Sequence, residues 1–196
     1  MKRISNIVLI PTILLLFVSC VTKQQKMETR MKEFISAYEA KVIPLYRDAS
    51  LAQWNANISG TDNDWAKSEK ASFDLAKVYT DTAAFSELKM LRESGEVKDS
   101  LLARQLEILY NSYLGGQIDT TLLAEQIRME TAISKKYSNF RANVNGKELT
   151  DNEVESILRN STNSKELQTV WEAHKLIGPV VAEDIIKLVK QRNKIA

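Results

Sequence analysis

His174 is the only imidazole and Cys20 the only thiol in the chain, and these two counts exclude most familiar catalytic arrangements. A helical HExxH zinc site needs two histidines one turn apart, with the intervening glutamate as base. A chain with one histidine cannot contain it. A serine nucleophile needs a histidine base beside it and is commonly presented on a Gly-x-Ser-x-Gly elbow; no serine here is so flanked. Gly115-Gly116 and Gly178 lack the spacing of a phosphate-binding loop. The acidic pairs Glu153/Glu155 and Glu183/Asp184 lie in charge-rich stretches that read as solvated helix faces. His174 reads as a residue on a helix face. No catalytic, metal-binding or cofactor-binding residue is therefore assigned.

Cys20 has a different reading. Met1-Lys2-Arg3, an apolar run from Ile7 to Val18, and Ser19 before the cysteine form the pattern of a secretory signal over residues 1–19. Phe17-Val18-Ser19-Cys20 resembles the bacterial lipobox, which makes Cys20 the expected lipidation site. Residues 20–26 are then the lipidated cysteine and a short polar tether, and 27–196 the folded region. The expected location is the bacterial cell envelope, held to the membrane through a lipid anchor, on a side that the sequence leaves open. With Cys20 lipidated, no thiol remains for a disulfide or a nucleophile. The chain's formal charge of +2 resides in Lys2 and Arg3. The remainder is neutral overall and lacks the basic excess that nucleic-acid binding requires, so no nucleic-acid partner is expected.

The elements that would position any site are helices. Met31, Phe34, Ile35, Tyr38, Val42, Leu45 and Tyr46 recur at helical spacing on one face. Pro44 predicts a kink or break there, with the helix resuming through Trp54 and stopping at Ser59-Gly60. Thr61 opens a helix with acids in its first turn. Thr82 is read as the cap of a short helix closing at Ser94-Gly95, Val97 to Leu114 as another stopped by Gly115-Gly116, and Asp119 or Thr120 as the next start. Residues 138–149 form the one non-helical island, with Asn145-Gly146 marking a tight turn and a small hairpin or ordered loop. Thr150 and Glu153 make a capping box, Asn163 and Glu166 a second capping pair, and Gly178-Pro179 a boundary between the last two helices. Three prolines and six glycines, mostly at helix borders, fit an all-α fold. Trp54, Trp65 and Trp171 are expected to anchor its core.

Two stretches carry a family likeness. Trp54-Asn55-Ala56-Asn57-Ile58-Ser59-Gly60-Thr61 is similar to a Trp-Asn-x-x-x-x-Ile-Thr segment, and Trp171-Glu172-Ala173 with Gly178 and the helix to Arg192-Asn193 to a Trp-Glu-Gly segment. Both resemble the N-terminal part of the peptidyl-dipeptidase A family, the zinc peptidases that include angiotensin-converting enzyme. The resemblance covers roughly residues 30–196. It implies a multi-helix N-terminal lid and wall over a deep channel that admits peptides. It also implies a zinc-dependent peptidase in the complete enzyme, where a zinc-bound water is activated by the HExxH glutamate. Where that family has Trp-Arg, this chain has His174-Lys175, and no chloride-binding arginine is carried over.

The expectation is a chain that stops before the catalytic half, has no cofactor of its own, is inactive alone, and meets peptide substrates only when completed. Its last helix, from Ile185, has no Gly or Pro to close it, as an interrupted chain would. The rival expectation is a complete, non-enzymatic envelope lipoprotein acting as a binding or scaffolding module, and a third is a split gene whose second product completes the enzyme. The fragment reading predicts a large apolar face left exposed; the scaffold reading predicts a closed core.

Overall fold

The computed structural model describes residues 22–195, and over them the all-α expectation holds. The elements in order are α1 (Lys23–Ser59), α2 (Asp62–Ala76), a 3-10 turn (Lys77–Thr80), α3 (Thr82–Ser94), α4 (Ser100–Gly115), α5 (Thr120–Asn139), the hairpin strands β1 (Ala142–Val144) and β2 (Lys147–Leu149), α6 (Asp151–Asn160), α7 (Ser164–Lys175) and α8 (Ile177–Ile195). The proposed signal and Cys20 lie outside the described residues.

Most helix ends are written in local chemistry. Gly60 and Gly95 close α1 and α3 in the left-handed region, φ 65° and 64°, which glycine enters without a Cβ penalty. Thr61 caps α2 by accepting from the Asp64 N–H, and Asp119 caps α5 by accepting from Thr121 and Leu122. Thr150 and Glu153 form the reciprocal capping box at α6. Asn145 and Gly146, at φ 53° and 84°, make the two-residue turn of an antiparallel hairpin that pairs Val144 with Lys147 and Ala142 with Leu149.

Several boundaries differ from expectation. Pro44 does not break α1, which runs 37 residues through it, a length of about 55 Å. Proline costs the Ala40 carbonyl its helical partner, but Ala40 and Pro44 both lie on the exposed side of the helix, where solvent can take the partner's place. Helix α1 also begins inside the stretch read as a tether, because Thr22 and Gln25 form a capping box of their own. Asp81, not Thr82, caps α3. Helix α4 starts at Ser100, after Asp99, rather than at Val97. The non-helical island begins only at Phe140. At α7, Asn163 caps as expected, but the Glu166 carboxylate takes the Ser161 hydroxyl instead of completing a box. The break between α7 and α8 falls at Leu176, so Gly178 and Pro179 lie within the first turn of α8; there a missing N–H costs nothing.

Helix α1 lies along α2, α2 along α5, and α5 along α8, while α3 packs on α4. Met27, Met31, Leu88, Leu91, Leu102, Leu106 and Leu109 fill one core beneath the first half of α1. Tyr38 and Tyr79 share a hydrogen bond of 2.8 Å beside Tyr113. Burial pushes the Tyr113 phenol up to about 12, and burial with the Tyr79 hydrogen bond raises Tyr38. Arg30 grips Glu87 with two nitrogens, 2.9 and 2.6 Å, tying α1 to α3. Glu28 accepts from the backbone N–H groups of Lys98 and Asp99. The Gln24 amide and then these N–H groups hold its carboxyl below the usual range. A second, smaller core joins the hairpin to α6 and α7 through Ala142, Leu149, Val154, Val170 and Ala173.

Trp65 is the one tryptophan of three that the core takes in, at 2 % exposure, and its Nε1 has no partner among the described residues. A buried donor left unpaired costs about 1–3 kcal/mol. Trp65→Phe relieves that cost while losing part of the ring's contacts. It is expected to change unfolding free energy by under about 1 kcal/mol, against about 3–5 kcal/mol lost in Trp65→Ala, as read by urea denaturation.

Candidate functional site

The groups that could have done chemistry are occupied by structural work. His174, on the last turn of α7, places Nε2 3.1 Å from Asp151 Oδ1 at the start of α6, so it pins two helices together. Glu153 is spent on the α6 cap, where the Thr150 N–H and hydroxyl hold its carboxyl below the usual range. Glu155 pairs with Arg159 one turn on. Asp184 takes Lys136 from α5, and that ammonium lowers its carboxyl. The two acidic pairs thus converge on no common point. Among the described residues, no group of three His, Cys, Asp or Glu side chains could hold a metal ion. With one histidine in the chain, the residues present do not fit a zinc site.

What the fold presents instead is uncovered apolar surface. Ile43, Leu51, Trp54 and Ile58 follow one another along the second half of α1 at 64, 54, 66 and 70 % exposure. At 100° per residue they fall within one narrow stripe, with Arg47 among them. Helix α8 buries Ile177, Val181 and Gln191, and Gln191 donates to Glu125 of α5 at 2.9 Å. Its other side carries Ala182, Ile185, Ile186 and Val189, spaced i, i+3, i+4 and i+7, all exposed. That is the spacing of one apolar helix stripe, here uncovered. Trp171 and Leu176 add 52 and 58 % exposed surface at the end of α7, with the Lys175 ammonium 5.7 Å from the indole centre.

Trp54 and Trp171 therefore correct the sequence reading, which placed all three tryptophans in the core. Tyr46, assigned to the buried face of α1, is also 64 % exposed. The signal that could have found these faces is present in the sequence. Helices α1 and α8 carry apolar residues on two sides, more than one buried face requires.

The described residues thus form an all-α fold with exposed apolar stripes on α1 and α8, and among them no cluster of metal-ligating side chains is assembled. The profile of the angiotensin-converting enzyme family, peptidase M2, matches residues 25–196, and the chain belongs to that family. Its function is peptidase-related at the level of the family. No curated protein and no solved structure matches the chain.

Among the described residues no helix is long and apolar enough to cross a membrane.

Proposed function

We propose that this chain forms the N-terminal lid and one wall of a zinc-dependent, peptidyl-dipeptidase-like metallopeptidase, and that the residues holding zinc lie outside this sequence. The observation that carries the reading is the pair of uncovered apolar faces on α1 and α8 in a member of a peptidase family. Soluble single domains rarely leave such ordered stripes exposed unless another surface covers them. Covering Ile43, Leu51, Trp54 and Ile58 would contribute on the order of 4–6 kcal/mol of apolar burial, enough to hold two halves of one enzyme together. The catalytic half supplies that cover and completes a channel that receives peptides.

In this reading the chain's own residues shape and close the channel, and a zinc held by residues outside this sequence would supply activation of water. Cys20 carries a lipid that keeps the enzyme at the envelope membrane.

The chain by itself is expected to bind no zinc tightly and to cleave no peptide. Purified protein would be supplied with zinc, dialysed, assayed for metal content, and incubated with a panel of short peptides with and without a chelator. One tightly held zinc with chelator-sensitive cleavage would overturn the proposal.

A further inference from the structure

Helix α1 leaves no slack behind the lipid proposed at Cys20. The Thr22 hydroxyl accepts from the Gln25 N–H at 3.1 Å, and the Gln25 side-chain oxygen accepts from the Thr22 N–H at 2.9 Å. The helix is therefore closed from Lys23 onward. Cys20 lies outside the described residues, but covalent geometry bounds its distance. Three residue steps separate it from Lys23, and an extended chain spans at most about 3.6 Å per residue. A lipid on Cys20 keeps the first turn of α1 within roughly 11 Å of the point where that cysteine meets the membrane.

That turn belongs to one end of the molecule. Lys23 reaches Glu96, just past the end of α3, at 3.2 Å. Glu28 accepts from the Lys98 and Asp99 N–H groups at 3.1 and 3.0 Å, just before α4. The start of α1, the end of α3 and the start of α4 thus lie side by side. The acids of this end are largely engaged within it. Glu28 holds those N–H groups, Asp99 caps α4, and Glu96 meets Lys23. Glu93 stands 3.9 Å from Lys89. Lys26 and Lys98 are exposed and form no ion pair among the described residues. Leu101, in the first turn of α4, is 66 % exposed. Between α1 and α3 a groove of about 470 Å³ is lined by Lys23, Met27, Lys89, Met90 and Glu93, among others. Apolar side chains beside lysines suit a boundary where hydrocarbon meets phosphate, because the lysine stem lies along apolar surface while its ammonium stays among polar heads.

We propose that this end of the fold rests on the phospholipid surface of the envelope membrane, with α1 standing away from it. Lys26 and Lys98 meet lipid phosphates, and Leu101 enters the headgroup layer. Weak contacts suffice, since a lipid on Cys20 makes the meeting with the surface intramolecular, at a high effective concentration. The inference rests on the lipid-anchor reading of Cys20 and is independent of peptidase activity. It carries Trp54 and Ile58 about 50 Å along α1 from the membrane end, clear of the lipid.

The test uses the full chain processed in a bacterial host and placed in vesicles of phosphatidylethanolamine and phosphatidylglycerol that contain a lipid with a nitroxide quencher on its headgroup. Cys20 is the only thiol of the chain, so once it is lipidated a single introduced cysteine takes a fluorophore at one place. Ser100→Cys reports the membrane end and Asn55→Cys the far part of α1; both positions are exposed. Intact mass is read first, and a lipidated species is expected. Strong quenching of the label at position 100 and none at position 55 is expected next. Lys98→Glu with Leu101→Glu, both exposed and outside either core, should abolish most of the quenching at position 100 while leaving the lipid and the melting temperature in place. A mass without lipid would overturn the anchor and this inference together. A lipidated protein quenched equally at both positions, only at position 55 or at neither, or one that the double substitution leaves unchanged, would overturn this inference while the anchor stands.

Discussion

Gly116→Ala should lower the unfolding free energy by about 3 kcal/mol, and Gly115→Ala, one residue earlier, should not. A Cβ on Gly116 would stand 2.4 Å from Tyr79 Cβ, 2.7 Å from the Tyr79 carbonyl oxygen and 2.9 Å from its carbon. Two of those three atoms are backbone, so no rotamer change relieves the contact. The Tyr79 carbonyl is also fixed, accepting from Gln117 Nε2 at 2.9 Å, and the Tyr79 hydroxyl meets Tyr38 of α1. Displacing Tyr79 therefore loosens the junction of α1, the 3-10 turn and α4 together. A Cβ on Gly115 meets nothing within 4 Å. In the last turn of a helix, alanine there should be neutral or stabilise by up to about 1 kcal/mol. Parallel urea titrations would show the contrast, and equal effects would mean that the close approach of α4 to Tyr79 does not exist in solution.

The second large effect concerns the α1 stripe. Ile43→Gln, Trp54→Gln and Ile58→Gln combined should remove the share of dye binding that the α1 stripe contributes and leave the share of the exposed face of α8. The chain's stability should move little, since exposed substitutions typically change it by less than about 0.5 kcal/mol each. In protein that also carries the zinc-holding residues, the outcome reverses. If the proposed catalytic half covers the stripe, losing three apolar side chains should cost on the order of 4 kcal/mol of association between the halves, with chelator-sensitive cleavage falling accordingly. A triple variant that cripples the isolated chain as severely would mean that the stripe belongs to its own core.

Much of this fold is legible because its boundaries are local. Gly60, Gly95, Thr61, Asp119, Thr150 with Glu153, and Asn145-Gly146 each act through their own backbone neighbours, so their effect does not wait on the tertiary structure. Pro44 shows the limit. Its local penalty is real, but whether a helix yields depends on whether water reaches the orphaned carbonyl, which only the packing reveals. Asp81 and Thr82 are both good caps, and a choice between adjacent caps is settled by where the preceding turn ends.

The docking faces were legible in part. The likeness around Trp54 and Trp171 pointed to the family that the profile match then established. The assignment of those two rings to the core failed because periodicity reports an apolar face, not whether this chain buries it. Trp65 obeyed the same periodicity and is buried within the chain.

The most direct test of the central proposal is to capture the native polypeptide from cell envelopes with an antibody against residues 97–137, then to measure its intact mass and zinc content. The account predicts a species well above the 22.2 kDa of this sequence, carrying zinc and cleaving peptides in a chelator-sensitive way. A zinc-free species near 22.2 kDa would contradict it and favour a self-sufficient envelope scaffold.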